Sequence, residues 1–393
     1  MAASRGYARL FQSKLLTLVA TGVTTVAFSI LAFDIAGRDA SALLGTALAI
    51  KALASIVAPP LVAAVVERFS RGRLLVLIDV LRGLAVLGLA FVASEWLLVV
   101  LVAVFLAASA AFKLTYHEYV AYLLPAEGDY ARALSKSQIV DELESAASPL
   151  LAAGLLLLLP LGGVLVLTMA AFAISAARIS SAGLPDLSHA KTASPVSRSL
   201  AGIRLLVTEP RFRALPYLAF VMAAGTAMVM TTTPVIVQGV LGLGARATAV
   251  AFAGFGSGAV VGALLWVWLA RRHGERALMM TGAALVALGL FGGIVAASYP
   301  AFIVLWIMIG AGVMLIHTPA AFAIGRNVGA ASLQVAFGAG LALQNAALLV
   351  VYLLAGWLTA ATSLDTTFLV LGLVAGAASL LAFRVRPTAP AIG

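Results

Sequence analysis

The chain has 393 residues, of which 63% are apolar and 10% charged, with 25 Lys+Arg, 15 Asp+Glu, a formal net charge of +10 and no Cys. A soluble chain of this length would be roughly 45–50% apolar and about a quarter charged, and surface does not shrink fast enough with size to hide the excess. These figures exclude a soluble enzyme, a disulfide scaffold and a disordered or fibrous chain, and leave a polytopic helical membrane protein.

A helix needs about 20 residues to cross the hydrocarbon, and the apolar content suffices for roughly twelve crossings. Hydropathy, punctuated by Gly, Pro and charge, predicts spans at 15–36, 41–65, 73–93, 96–124, 137–159 and 161–182. A second set follows at 213–239, 247–270, 276–298, 300–324, 333–359 and 363–385. Arg5, Arg9 and Lys14 precede a first apolar run with no small-residue cleavage pattern, so that run is expected to be a retained span. Between the sets lies the longest polar stretch, Ser180 to Arg211, with Pro185, Asp186, Lys191, Pro195, Arg198, Arg204 and Glu209. Its end, Ser199 to Val207, reads as a short amphipathic helix on the membrane surface. The expected organisation is an N-terminal six-helix half, 1–182, a cytoplasmic linker, 183–211, and a C-terminal six-helix half, 212–393.

The positive charge is scattered between apolar runs rather than laid along one face with interleaved aromatics, which argues against nucleic acid. With a cytoplasmic N-terminus, twenty of the 25 cations fall in or near cytoplasmic segments, and the other side keeps only Arg38 and Arg246. Lys51, Arg82 and Lys113 lie within spans. This bias predicts both termini in the cytoplasm. A weak repeat supports duplication: Glu67 to Arg73 after span 2 is echoed by Ala270 to Arg276 after span 8. Two equivalent halves around a midplane site are what alternating access requires.

The segment Pro59 to Arg73, followed by Asp79 and Arg82, resembles the signature loop of the major facilitator superfamily, Gly-x-x-x-Asp-Arg-x-Gly-Arg-Arg. Ala63 stands for the first Gly, Glu67 for the Asp and Ser70 for the second Gly, and Gly72 interrupts the Arg pair. The resemblance implies that Glu67, Arg68, Arg71, Arg73, Asp79 and Arg82 form a breakable cytoplasmic gate between the halves. Positive-inside topology alone explains the arginines but not Glu67, Asp79 and Arg82.

Span 5 adds Glu144 to Gly154, similar to the superfamily's exporter motif, Gly-x-x-x-Gly-Pro-x-x-Gly-Gly. Ser148, Pro149 and Gly154 keep its bend, while Glu144 replaces the first Gly with an acid. In the superfamily this motif points to antiporters. Leu44 to Lys51, Tyr130 to Ser135, Leu143 to Ser145 and Ala355 to Leu358 are similar to a bacterial exporter branch that includes nickel-resistance permeases. That branch would carry a His and a Cys in span 11, where this chain has Asn345 and Ala347. Soft ligands for nickel or cobalt are therefore missing.

Ionisable groups inside apolar spans are costly and are functional candidates by default. Span 4 holds Lys113, His117 and Glu118, and span 5 opens with Asp141, Glu142 and Glu144. Glu118 and Glu144 are read as proton carriers, since a buried carboxylate is neutralised by desolvation and recharged by a nearby cation. Headgroup-level solvation is the competing reading for Asp141 and Glu142. Asp34 is either an outer proton site or a solvated turn acid, and a pair with Lys51 is expected. The second half offers Met228, Met230 and Thr231 to Thr233 in span 7, His317 in span 10, and Gln344 and Asn345 in span 11. Glycines near 254–262 lack a Gly-Lys-Ser/Thr ending and read as helix-contact residues rather than a phosphate loop.

The expected protein is an all-α, twelve-span transporter of the facilitator fold, not an enzyme, with no cofactor and no metal site. It is expected as a monomer in a bacterial inner membrane. The expected activity is export of an amphiphilic organic solute by proton antiport; the alternatives are divalent-metal efflux, and uptake or uncoupled facilitation. Its partners are that small molecule or ion, protons and membrane lipid.

Overall fold

A computed structural model of the chain describes residues 2–66, 71–123, 150–181, 203–270, 272–296, 298–328 and 330–385. All regular structure among them is helical, the one open-ended form that satisfies every backbone hydrogen bond within its own segment in lipid. The first half comprises α1 (Ala2–Ala36), α2 (Ala40–Val66), α3 (Arg71–Leu89), α4 (Glu95–Leu123), α5, described over 150–158, and α6 (Leu161–Ser180). The second comprises α7 (Leu215–Pro234), α8 (Ala245–Leu269), α9 (Glu275–Gly293), α10 (Tyr299–Asn327), α11 (Ala330–Ala361) and α12 (Leu364–Arg384).

Nine described segments are long and apolar enough to cross a membrane, and one of them, Gly6–Val57, takes in most of α1 and of α2. Two helices fall outside that set for stated reasons: α3 carries Arg71, Arg73, Asp79 and Arg82 in 19 residues, and α5 is described over too short a stretch. With them, twelve helices stand where twelve spans are expected. Breaks fall where local chemistry demands them. Gly37 takes φ +54 in the turn before α2, a conformation that favours glycine. Pro160 caps the start of α6. The Ser363 hydroxyl accepts the Thr366 N–H at 3.2 Å to start α12. Beyond Pro234, α7 runs on as a π-turn, Val235–Val240.

The two halves repeat one packing scheme. In the first, α1 packs on α2, α4 and α6, α4 packs on α2 and α3, and α3 packs on α6. Each pair has its counterpart in the second half: α7 on α8, α10 and α12, α10 on α8 and α9, and α9 on α12. Between halves, α2 packs on α11 and α7, and α1 on α7 and α8. Successive helices alternate in direction, so α1 begins and α12 ends at one end of the bundle, the termini end. The turns 37–39 and 362–363 lie at the far end.

Between the halves, residues 203–208 form a short helix, overlapping the amphipathic segment expected at 199–207. Its Leu206 and the following Phe212 are buried against Ala323, Ile324, Ala336 and Ala339.

Candidate transport pathway and its gate

At the far end α2 and α11 meet backbone to backbone. A Cβ on Gly45 would sit 2.5 Å from the Tyr352 carbonyl oxygen and 2.9 Å from Gly356 Cα. A Cβ on Gly356 would sit 2.5 Å from the Ser41 carbonyl oxygen. Ordinary carbon contacts are about 3.5–4.0 Å, so the absence of side chains at these two positions permits the approach. Trp357 Nε1–H donates to Thr46 Oγ1 at 3.2 Å across the same seam. The two segments, Leu44 to Lys51 and Ala355 to Leu358, are ones whose resemblance pointed to exporters; here they form one contact. At the same end Phe33 of α1 lies against Gly239, where a Cβ would approach its ring to 3.2 Å. Gly154 on α5, about one repeat before Gly356, is exposed, and nothing lies within 4 Å of the place its Cβ would take.

At the termini end, side-chain contacts among the described residues tie helices together within each half. Arg9 donates to the Ser181 carbonyl and Arg178 to Gln12 in the first half. In the second, Arg276 donates to the Phe383 carbonyl and Arg326 pairs with Glu275 at 3.5 Å. In this conformation the closure described between halves is at the far end.

Inside the first half lies a buried charged network. Asp79 is 0% exposed and Arg82 2%, and they form an ion pair on α3. Ser175 of α6 donates to Asp79 Oδ2 at 2.5 Å, and Arg82 reaches Thr21 of α1 at 3.5 Å. The guanidinium stacks over Phe112 of α4 at 4.2 Å and Phe172 of α6 at 4.7 Å. Asp79 and Arg82, expected at the gate, thus tie α1, α3, α4 and α6 to one another within a single half. Lys14, read in the sequence as a flanking cation, is 1% exposed, its Nζ 4.7 Å from the Tyr116 ring. Thr21 and Ser175 are the members that hydropathy missed, along with the burial of Lys14; the polar spacing Lys14, Thr17, Thr21 along α1 was the available signal.

Lys113 and His317 occupy equivalent places. Each is eighteen residues from the first residue of its helix, Glu95 in α4 and Tyr299 in α10. Each is half-buried and about 15 Å from the termini end of that helix at 1.5 Å per residue. Lys51, Met230, Gln344 and Asn345 are half-buried too, and the Asn345 side-chain amide donates to the Leu341 carbonyl at 2.8 Å. Thr231, Thr232 and Thr233, read as lining groups, are buried and donate to Ala227, Met228 and Val229 of their own helix. Thr233 also accepts the Trp306 indole N–H at 2.8 Å, which makes this trio part of the packing of α7 on α10. Met228 is buried with them.

Asp34 is exposed near the far end of α1. Lys51 stands about 16 Å along α2 from its far-end start. Arg71 opens α3, Arg73 is exposed, and His117 and Glu118 lie in the last two turns of α4. Glu67, Arg68, Asp141, Glu142, Glu144, Ser148 and Pro149 lie outside the described residues.

A duplicated twelve-helix bundle with a glycine seam at one end and ionisable groups at matched depths is the architecture of a secondary transporter. The profile of the Major Facilitator Superfamily matches residues 13–264 and 217–392. The chain belongs to that superfamily, a family of transporters rather than enzymes. It is similar in fold to a point mutant of the nucleoside transporter NupG, at TM-score 0.73 and 13% identity, covering 96% of this chain and 99% of that one. It is also similar to a POT family transporter in complex with a thioalcohol-conjugated peptide, at TM-score 0.70 and 13% identity, covering 96% and 95%. No curated protein matches it in sequence.

Proposed function

We propose that the chain exports a small amphiphilic organic solute by proton antiport, from a bacterial inner membrane with both termini in the cytoplasm. We further propose that the halves divide at 1–182 and 212–393 around the linker 183–211. The observation that carries the reading is the far-end glycine seam, above half-buried Lys113 and His317 at matched depth. A seam there supports access from the termini end, and the basic bias supports a cytoplasmic termini end. Two lysines, Lys51 and Lys113, with several neutral polar groups suit a solute with an apolar body and one ionic head. Glu118 and Glu144 are assigned to carry the protons exchanged for it.

The nucleoside and peptide transporters share the fold at an identity too low to carry substrate. The test is therefore a panel of drug-like amphiphiles, nucleosides, small peptides and divalent cations in proteoliposomes with an imposed pH gradient. Gradient-driven amphiphile flux is expected in the wild type. It should fall at least about a hundredfold in Glu118→Gln or Glu144→Gln, on the scale of losing one positioned proton-transfer group. Unchanged flux in both variants would remove the proton assignment; flux of metal alone would replace the solute class.

A further inference from the structure

The strap between the halves has a buried side and a charged side. Leu206 and Phe212 anchor it on the termini-end tips of α10 and α11. Arg204, Arg211 and Arg213 are all exposed. The Arg211 guanidinium donates to Asn327 Oδ1 at 2.9 Å, and Asn327 donates in turn to the Ala323 carbonyl at 2.8 Å. Arg213 donates to the Thr208 carbonyl at 3.1 and 3.3 Å, closing the end of the short helix. Each guanidinium has five N–H donors, so both retain donors beyond those used. The Arg204 carbonyl accepts the Thr208 hydroxyl at 2.7 Å, while its guanidinium has no hydrogen bond or ion pair among the described residues.

The depth of the strap follows from its neighbours. Val207, next in line, is 49% exposed. Phe322, one turn inward on α10, is also exposed, and the Arg326 guanidinium lies 6.0 Å from its ring. Across the same end, Arg272 stacks 5.1 Å over exposed Trp268. Arginine above an exposed aromatic ring is how a helix passes from hydrocarbon to headgroup. Acids beside the strap are Glu209, half-buried, and Glu275, already paired with Arg326.

We propose that Arg204, Arg211 and Arg213 form a binding strip for the phosphate of an anionic phospholipid in the termini-side leaflet. Guanidinium forks match phosphate oxygens, and Val207 offers the adjoining apolar contact to the acyl chain. Because Leu206 and Phe212 seat the strap on α10 and α11, the bound lipid holds the second half at that level. This site is separate from any solute pathway and does not depend on what the chain transports.

The test uses the purified full chain incubated with equal amounts of phosphatidylglycerol and phosphatidylcholine of matched acyl chains, with retained lipid measured by mass spectrometry. Wild type should retain phosphatidylglycerol preferentially. The preference should fall about fivefold for each arginine neutralised, so Arg204→Gln, which breaks no described contact, loses about fivefold. The triple variant Arg204→Gln, Arg211→Gln, Arg213→Gln should lose the preference, while the far-side variant Arg38→Gln, Arg246→Gln keeps it. Equal retention in wild type and Arg204→Gln would overturn the proposal. So would displacement of phosphatidylglycerol by millimolar inorganic phosphate, which would make this a soluble-anion site.

Discussion

Replacing Gly356 by Ala perturbs the seam with a single methyl group. That methyl would lie 2.5 Å from the Ser41 carbonyl oxygen and 2.9 Å from Gly45 Cα. Restoring an ordinary contact requires α2 and α11 to part by about 1 Å. Overpacking of this kind costs about 1–3 kcal/mol, and it is felt only where the helices touch. The better helix propensity of Ala, about 1 kcal/mol, applies to both conformations and cancels. The far-closed state should therefore lose ground to a far-open state by about 5- to 150-fold. Because the chain has no Cys, cysteines introduced at Asp39 and Thr362 can be spin-labelled without background. Double electron–electron resonance in nanodiscs should show a longer-distance population that grows in Gly356→Ala. An unchanged distance distribution, with the variant merely less stable, would refute the reasoning.

Gly154→Ala is the matched control: with nothing near its Cβ, it should leave that distribution unchanged and raise thermal stability by up to about 1 kcal/mol through helix propensity. Asp79→Asn strands a buried guanidinium and should destabilise the solubilised chain by about 3–5 kcal/mol, read from its thermal midpoint. Asp79→Leu with Arg82→Leu should recover much of that loss, and failure to recover would mean the pair does more than hold the half together. Trp306→Phe removes the hydrogen bond to Thr233 while keeping ring packing, and should cost about 0.5–1.5 kcal/mol in the same assay.

The helices were legible because each is an apolar run ended by Gly, Pro or charge; α12 begins at Leu364 against an expected 363 and α9 at Glu275 against 276. Hydropathy falters where a helix continues past the apolar run. Thus α1 reaches back to Ala2, and Lys14 passed for a flanking charge although α4 covers it. Nor can hydropathy separate a hydroxyl facing a pathway from one bonded to its own helix, as Thr231 to Thr233 are. Gly45 and Gly356 were both visible in the sequence, as parts of two separate motifs. Their meeting was not, because a contact across 311 residues leaves no local periodicity. The equal depth of Lys113 and His317 was within reach, since their spacing nearly equals that of the basic repeat.

Gly154 and Gly356 hold corresponding places in the two halves, yet one is locked against a neighbouring backbone and the other is bare. Among the described residues, the backbone-to-backbone glycine lock at the shut end lies on the α2–α11 flank. Movement there would pivot on the α2–α11 edge and lift the α5 edge first, in the manner of a door rather than a lid. The α5 edge carries Leu157 and Leu158, 52% and 82% exposed, so a solute departing by that route would meet the bilayer before it met water.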